Sequence, residues 1–102
     1  MPEACMFDIL GLPHEYLSKV LPKASSRSLA KLAVAYPRAA GRSILEILAK
    51  CISAAALEFI RDEINGMPQP SYPEIQQAES EIMKIIREEH LEDQVFSVRL
   101  AR

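Results

Sequence analysis

The sequence predicts an all-α fold: a small bundle of about five helices with a short extended C-terminal tail. Three observations carry this reading. Apolar residues recur every three or four positions through most of residues 12–88, the spacing of one helix face. Ser, Pro and Gly bracket the marked segments where helices start or stop. Only the tail, Val95-Phe96-Ser97-Val98-Arg99-Leu100, alternates with a period of two, a strand signal.

The first helix starts at Leu12-Pro13-His14-Glu15, with Pro in its first turn. Tyr16, Leu17, Val20 and Leu21 form its apolar face, and Pro22 limits it. Ser25 is the N-cap of the second helix. Its stripe is Leu29, Leu32, Ala33 and Tyr36, and Pro37 ends it. Gly41 opens the third, from Arg42 to about Lys50, with Ile44, Leu45, Ile47 and Leu48 inward. Ser53 caps the fourth, which runs to about Ile64 with Leu57, Ile60 and Ile64 on one face. Gly66 and Pro68 stop it. Residues 66–73 hold three prolines and form a stiff linker. Ser71-Tyr72-Pro73-Glu74 is a capping box, in which hydroxyl and carboxylate satisfy each other's backbone N–H groups. Behind it, Ile75, Ala78, Ile82, Ile85 and Ile86 make a buried stripe, and Glu74, Gln77, Glu81, Lys84 and Glu88 a wet face. The lone strand signal at residues 95–100 has no partner segment in the chain. It either lies on the helices or pairs with its copy in a homodimer.

The chain has 102 residues, enough for one core but not for two. A 49% hydrophobic and 25% charged composition is that of a globular domain. Net charge is −2, which argues against a nucleic-acid partner. The charge is uneven: residues 1–50 carry seven basic and four acidic side chains, residues 51–102 five and ten. Such polarity suits a partner of complementary charge, or simply two solvated faces. There is no signal-peptide pattern and no apolar run near the roughly 20 residues that span a bilayer. A cytoplasmic setting without membrane insertion is expected.

The residues give little chemistry. Cys5 and Cys51 make no disulfide framework, and Cys51 reads as a small buried hydrophobe. His14, His90 and the two cysteines lack paired metal-ligand spacing. Both histidines read as surface residues, His90 suiting a helix C-terminus. Asp62 and Glu63 are neighbours on a helix and diverge by about 100°, which does not fit the use of two carboxylates facing one cleft in glycosidase-type catalysis. They read as an acidic contact surface. Arg27, Lys31, Arg38 and Arg42 cluster in sequence but lack interleaved aromatics for stacking bases. No enzyme, cofactor or metal is expected.

Residues 52–64, Ile-Ser-Ala-Ala-Ala-Leu-Glu-Phe-Ile-Arg-Asp-Glu-Ile, are followed by a proline-containing linker. Then comes Tyr-Pro-Glu-Ile-Gln-Gln-Ala-Glu-Ser-Glu-Ile-Met-Lys-Ile-Ile-Arg at residues 72–87. This succession resembles the C-terminal domain of the flagellar motor switch protein FliG, over roughly residues 7–88. Phe7, Leu17, Leu21 and Leu29 stand at the apolar positions of its preceding helices. The resemblance implies an armadillo-like helical domain whose charged helix meets the cytoplasmic loop of the flagellar stator. The acidic pair of that helix falls on Asp62 and Glu63, and the Arg before it on Arg61. An earlier Arg falls on Ala55, and the linker Arg on Ser71 or nearby, both without charge. An upstream Lys falls on Val34 or Arg38, according to where a four-residue length difference is placed around Pro37. The family's N-terminal and middle parts have no counterpart here, which implies a stand-alone domain. The expected function is a non-enzymatic protein–protein interaction module. Its contact residues are Asp62, Glu63, Arg61 and Arg38, and its partner is the stator loop or switch-ring proteins. The alternative is a helical adaptor or self-associating domain that kept the fold without a motor role.

Overall fold

The computed structural model describes residues 6–39 and 41–101. The order is α1 (Met6–Leu10), α2 (His14–Val20), a 3-10 turn (Leu21–Lys23), α3 (Ser26–Ala35), β1 (Arg38–Ala39), β2 (Arg42–Ser43), α4 (Ile44–Cys51), α5 (Ala54–Asn65), α6 (Tyr72–Glu88) and α7 (Glu92–Ala101). The all-α expectation holds; the sole sheet among the described residues is a two-residue antiparallel ladder pairing Arg38 with Ser43 and Ala39 with Arg42.

The caps that the sequence marks are made. Ser25 Oγ accepts from the Ser28 N–H at 3.2 Å, and Ser53 Oγ from the Ala56 N–H at 3.1 Å. At the start of α6 the capping box is reciprocal: Ser71 Oγ accepts from Glu74 N, and Glu74 Oε1 from Ser71 N. Each bond satisfies a backbone donor that the first helical turn leaves open.

Helix α3 is the centre of the molecule. Its apolar side, Leu29, Ala30, Leu32 and Ala33, is buried, and it packs against both α5 and α6. Helix α6 packs against it with a stripe in which Ala78, Ile82, Ile85 and Ile86 are buried as the sequence predicts, Ile75 is only partly buried, and Met83 joins the buried set. The two helices run antiparallel, since polar links pair early residues of one with late residues of the other. Lys23, on the turn before α3, is ion-paired with Glu89. Ser25 N donates to Glu81 Oε2 at 2.8 Å. Lys31 Nζ lies 3.4 Å from Glu74 Oε2. Helix α2 packs on α4, and α1 on α7. A radius of gyration of 12.7 Å matches the ~13 Å expected for a single domain near 100 residues.

Three expectations need correction. The segment 95–100 is not extended but part of helix α7. Leu91 and Val95 are buried and Val98 is partly buried, a spacing of four and then three residues; the period of two came from counting Phe96 and Leu100, which are exposed. A helical tail offers no strand edge to a second copy, so strand-paired dimerisation loses its basis. The third helix begins at Ile44, not Arg42. Gly41 takes φ +77°, and the chain turns back into the ladder before Ile44 N donates to the Pro37 carbonyl. Glu81, expected on the wet face, is half-buried over the N-terminus of α3, where free N–H groups and the helix dipole favour a carboxylate. Helix α1 was signalled only by Phe7 at an apolar position of the family resemblance, and the buried Asp8 on it carried no signal in the sequence. Cys5 lies outside the described residues.

The turn from α6 into α7 has a defined geometry. Leu91 N donates to Ile86 O, and His90 N to Arg87 O, the paired bonds of a Schellman motif. His90 occupies its left-handed position with φ +58°, where glycine is the unstrained residue. His90→Gly should therefore raise stability by about 1 kcal/mol, read as a higher midpoint in thermal unfolding. Leu32→Ala, which hollows the fully buried centre of α3, should cost about 2–5 kcal/mol in urea unfolding.

Candidate functional site

Helix α5 carries the acidic pair, and one residue anchors it deeply. Ile60 is fully buried, whereas Leu57, Ile64 and Ala56 are only partly covered. The opposite side of the helix is presented outward. Phe59, Asp62, Glu63 and Gly66 follow one another at intervals of three, one and three residues, which places them along one face. They line a single groove of about 370 Å³, completed by Met67 and Pro68 of the linker and by Arg27 of α3. Asp62 and Arg27 are exposed, and Glu63 is half-buried.

The other sequence-predicted residues lie elsewhere. Arg61 is exposed on α5 but lies about 160° around the helix from both Phe59 and Glu63, at 100° per residue, and does not line the groove. Arg38 is on β1, beyond the far end of α3, and its Nη2 donates to the Gly41 carbonyl at 2.7 Å. The ladder thus holds Arg38 apart from the acidic pair. The cation that shares the groove with Asp62 and Glu63 is Arg27. Sequence reading placed Arg27 among the basic residues but did not bring it to this site. The signal was its place in the first turn of α3, beside the helix that α3 packs on. Phe59 was also missed as a site residue. It is 55% exposed, and its spacing from Asp62 and Glu63 was the available clue.

Glu74 and Glu89 are engaged within the fold. The Ser71 backbone and hydroxyl, and then Lys31, hold Glu74 below the ordinary carboxylate range. The hydrogen bond from Lys23 lowers Glu89 in the same way. Asp62 and Glu63 make no ion pair among the described residues, so their charges are available to a partner.

A second cluster lies between α2 and α4. Cys51 Sγ is 3.8 Å from His14 Nδ1, and His14 Nε2 is 3.2 Å from Ser18 Oγ. His14 is exposed and Cys51 half-buried, so the thiol is less enclosed than expected. The cavity beside them is only about 30 Å³. No group of three or more His, Cys, Asp or Glu that could hold a metal occurs among the described residues. Nor is any helix there long and apolar enough to cross a membrane.

The acid limb of stability follows from Glu74. A carboxyl lowered in the folded state stabilises above its unfolded pKa; that contribution is lost as pH falls below about 4.5 and through the lowered value. Glu74→Gln keeps an acceptor for the cap but cannot titrate. It should be less stable than the native chain at pH 7, with the difference shrinking in acid. Urea unfolding between pH 7 and pH 3 measures both.

A family model described as the FliG C-terminal domain matches residues 5–96. No curated protein and no solved structure matches the chain.

Proposed function

The chain belongs to the FliG C-terminal domain family, and from that premise we propose that it is a protein–protein interaction module of the flagellar motor switch type, working in the cytoplasm. Its contact surface is the outward face of α5, with Asp62 and Glu63 as the charges that meet a partner. The observation that carries the reading is that these two carboxylates share an open groove and make no ion pair among the described residues. Glu74 and Glu89, by contrast, are paired with Lys31 and Lys23. The family's acidic positions are among the carboxylates left for intermolecular use, and they are the two that line this groove. The partner in this reading is the cytoplasmic loop of the stator or a switch-ring protein.

The mechanism is charge complementarity. Exposed ion pairs contribute only about 0.2–1 kcal/mol each, so they register and steer the contact more than they hold it. The contact should therefore weaken with added salt, because at 0.1 M exposed charges are largely screened beyond about 10 Å and that length shortens as salt rises. Arg61 and Arg38 belong to the same proposal as outlying cations, one on the far side of α5 and one on the ladder.

A second reading is an adaptor that kept the fold without the motor role. It is favoured by Ala55, and by Ser71 at or near the family's linker arginine, which bear no charge where the family has arginines. One experiment separates the two. The tagged chain is used for affinity capture from its own cells beside Asp62→Lys/Glu63→Lys, with thermal unfolding of both as the folding control. Stator or switch-ring proteins should be recovered by the native chain and reduced about tenfold or more by the reversal, which a difference of ~1.4 kcal/mol suffices to give. Equal recovery by both would remove the acidic pair from the contact. Recovery of unrelated proteins alone would favour the adaptor.

A further inference from the structure

The α5 surface leaves one chemically distinct cluster unused, at a different packing contact. There the C-terminus of α4 meets the first turn of α2. Cys51 Sγ lies 3.8 Å from His14 Nδ1, and His14 Nε2 lies 3.2 Å from Ser18 Oγ. His14 and Ser18 are four residues apart on one helix, so α2 itself aims the ring. With the Nε2 proton donated to Ser18, Nδ1 keeps its lone pair toward the thiol. A nucleophile, a base within reach and a third group that orients the base form the arrangement that activates a thiol. Lys50 lines the same cleft, and a cation there favours the thiolate. The base is needed because Cys51 ends α4, and a helix C-terminus disfavours an anion.

The space around the thiol decides what it can do. The cleft holds only about 30 Å³ and is otherwise lined by Leu12, Leu17 and Ile47, all buried. That is room for a water or two and not for a bound substrate. The cluster is therefore built to be modified and not to turn over a ligand. Cys51 is half-buried and His14 exposed, so a small reagent reaches Sγ from the open side. A group left on the sulfur has no cavity to occupy.

We propose that Cys51 is a redox-modification site that forms a mixed disulfide with a small oxidised thiol. His14 Nδ1 takes the Sγ proton, and the thiolate attacks one sulfur of the incoming disulfide, whose S–S bond breaks. The departing thiolate takes the proton back from His14 and leaves as a thiol. Cys51 is oxidised to the new disulfide, and one half of the reagent is reduced. The adduct displaces His14 and opens the contact of α2 with α4, beside which Leu17 and Ile47 are buried. Oxidation thus loosens this part of the bundle, and a reducing thiol restores it. The inference stands on α2 and α4 alone and does not use the α5 face.

The test is incubation of the full chain with glutathione disulfide at pH 7, with peptide mass spectrometry following Cys5 and Cys51 separately. Cys51 should gain one glutathionyl group, and dithiothreitol should remove it. His14→Gln keeps the size of the side chain but removes the base. It should slow the reaction of Cys51 about fivefold or more, since an unassisted thiol is only a few per cent thiolate at pH 7. Ser18→Ala, which leaves the ring unoriented, should also react more slowly than the native chain. The sign of these changes separates a base from a cover: if His14 only shielded the thiol, its replacement would speed the reaction. Thermal unfolding of each unmodified variant reports folding. In Cys5→Ser, where only Cys51 can react, the adduct should lower the unfolding midpoint by about 4 °C or more, and reduction should restore it. A rate in His14→Gln or Ser18→Ala equal to or above the native one, an adduct on Cys5 alone, or an unchanged midpoint after modification would each overturn the proposal.

Discussion

The antiparallel contact of α3 with α6 is the constraint on which the other elements depend. Helix α3 is only ten residues long, too short to be stable alone in water. It persists because one side is covered by α6 and another by α5. Ala30, Ala33 and Ala78 are small residues on the buried sides of α3 and α6, and they leave room for the helices to lie close while Leu32, Ile82 and Ile86 fill the interior. With α3 in place, the position of α5 is set, and the groove beside Arg27 follows from it. The site is thus a by-product of how α3 is enclosed.

The same contact accounts for much of the charge pattern. The first half of the chain is basic and the second acidic, which by itself suggested a polarised outer surface. Part of that polarity is consumed internally. Lys23 is used by Glu89, Lys31 by Glu74, and the backbone donor at Ser25 by Glu81. These links lie at the rim, where each contributes little energy, but together they specify the antiparallel register. What remains unpaired on α5 is a smaller and more local charge than the composition implied.

Much of the fold was legible because its helices announce their starts. Ser25, Ser53 and Ser71 are side-chain caps with a local mechanism, and all three form. The apolar stripe of α6 was legible for the same reason: its period is a property of the helix and not of its neighbours. The misreadings share one cause, which is that tertiary contacts decided them. Residues 95–100 can be read with two periods, and only burial of Leu91 and Val95 against the bundle selects the helical one. Arg42 and Ser43 have no local reason to avoid a helix; the positive φ at Gly41 and the pairing with Arg38 pull them out. At the site, Asp62 and Glu63 were legible as neighbours in sequence. Arg27 was not, because it reaches them across a packing contact that no local pattern records. Family membership was legible where the linker and the flanking helices were read together.

The central place of α3 also fixes an order of events during synthesis. Its residues leave the ribosome well before either helix that encloses them. Between Ala35 and Ile86 lie roughly fifty residues, which take about 3–10 s to make at about 5–20 residues per second. A helix of this size forms and dissolves in about a microsecond or less. Within that interval α5 is made and can cover one side of α3, but the side that α6 covers stays open. The domain therefore has no stable half. Its folding is held until the last third of the chain is available, and the side of α3 that α6 covers is apolar surface left to a nascent-chain chaperone until then.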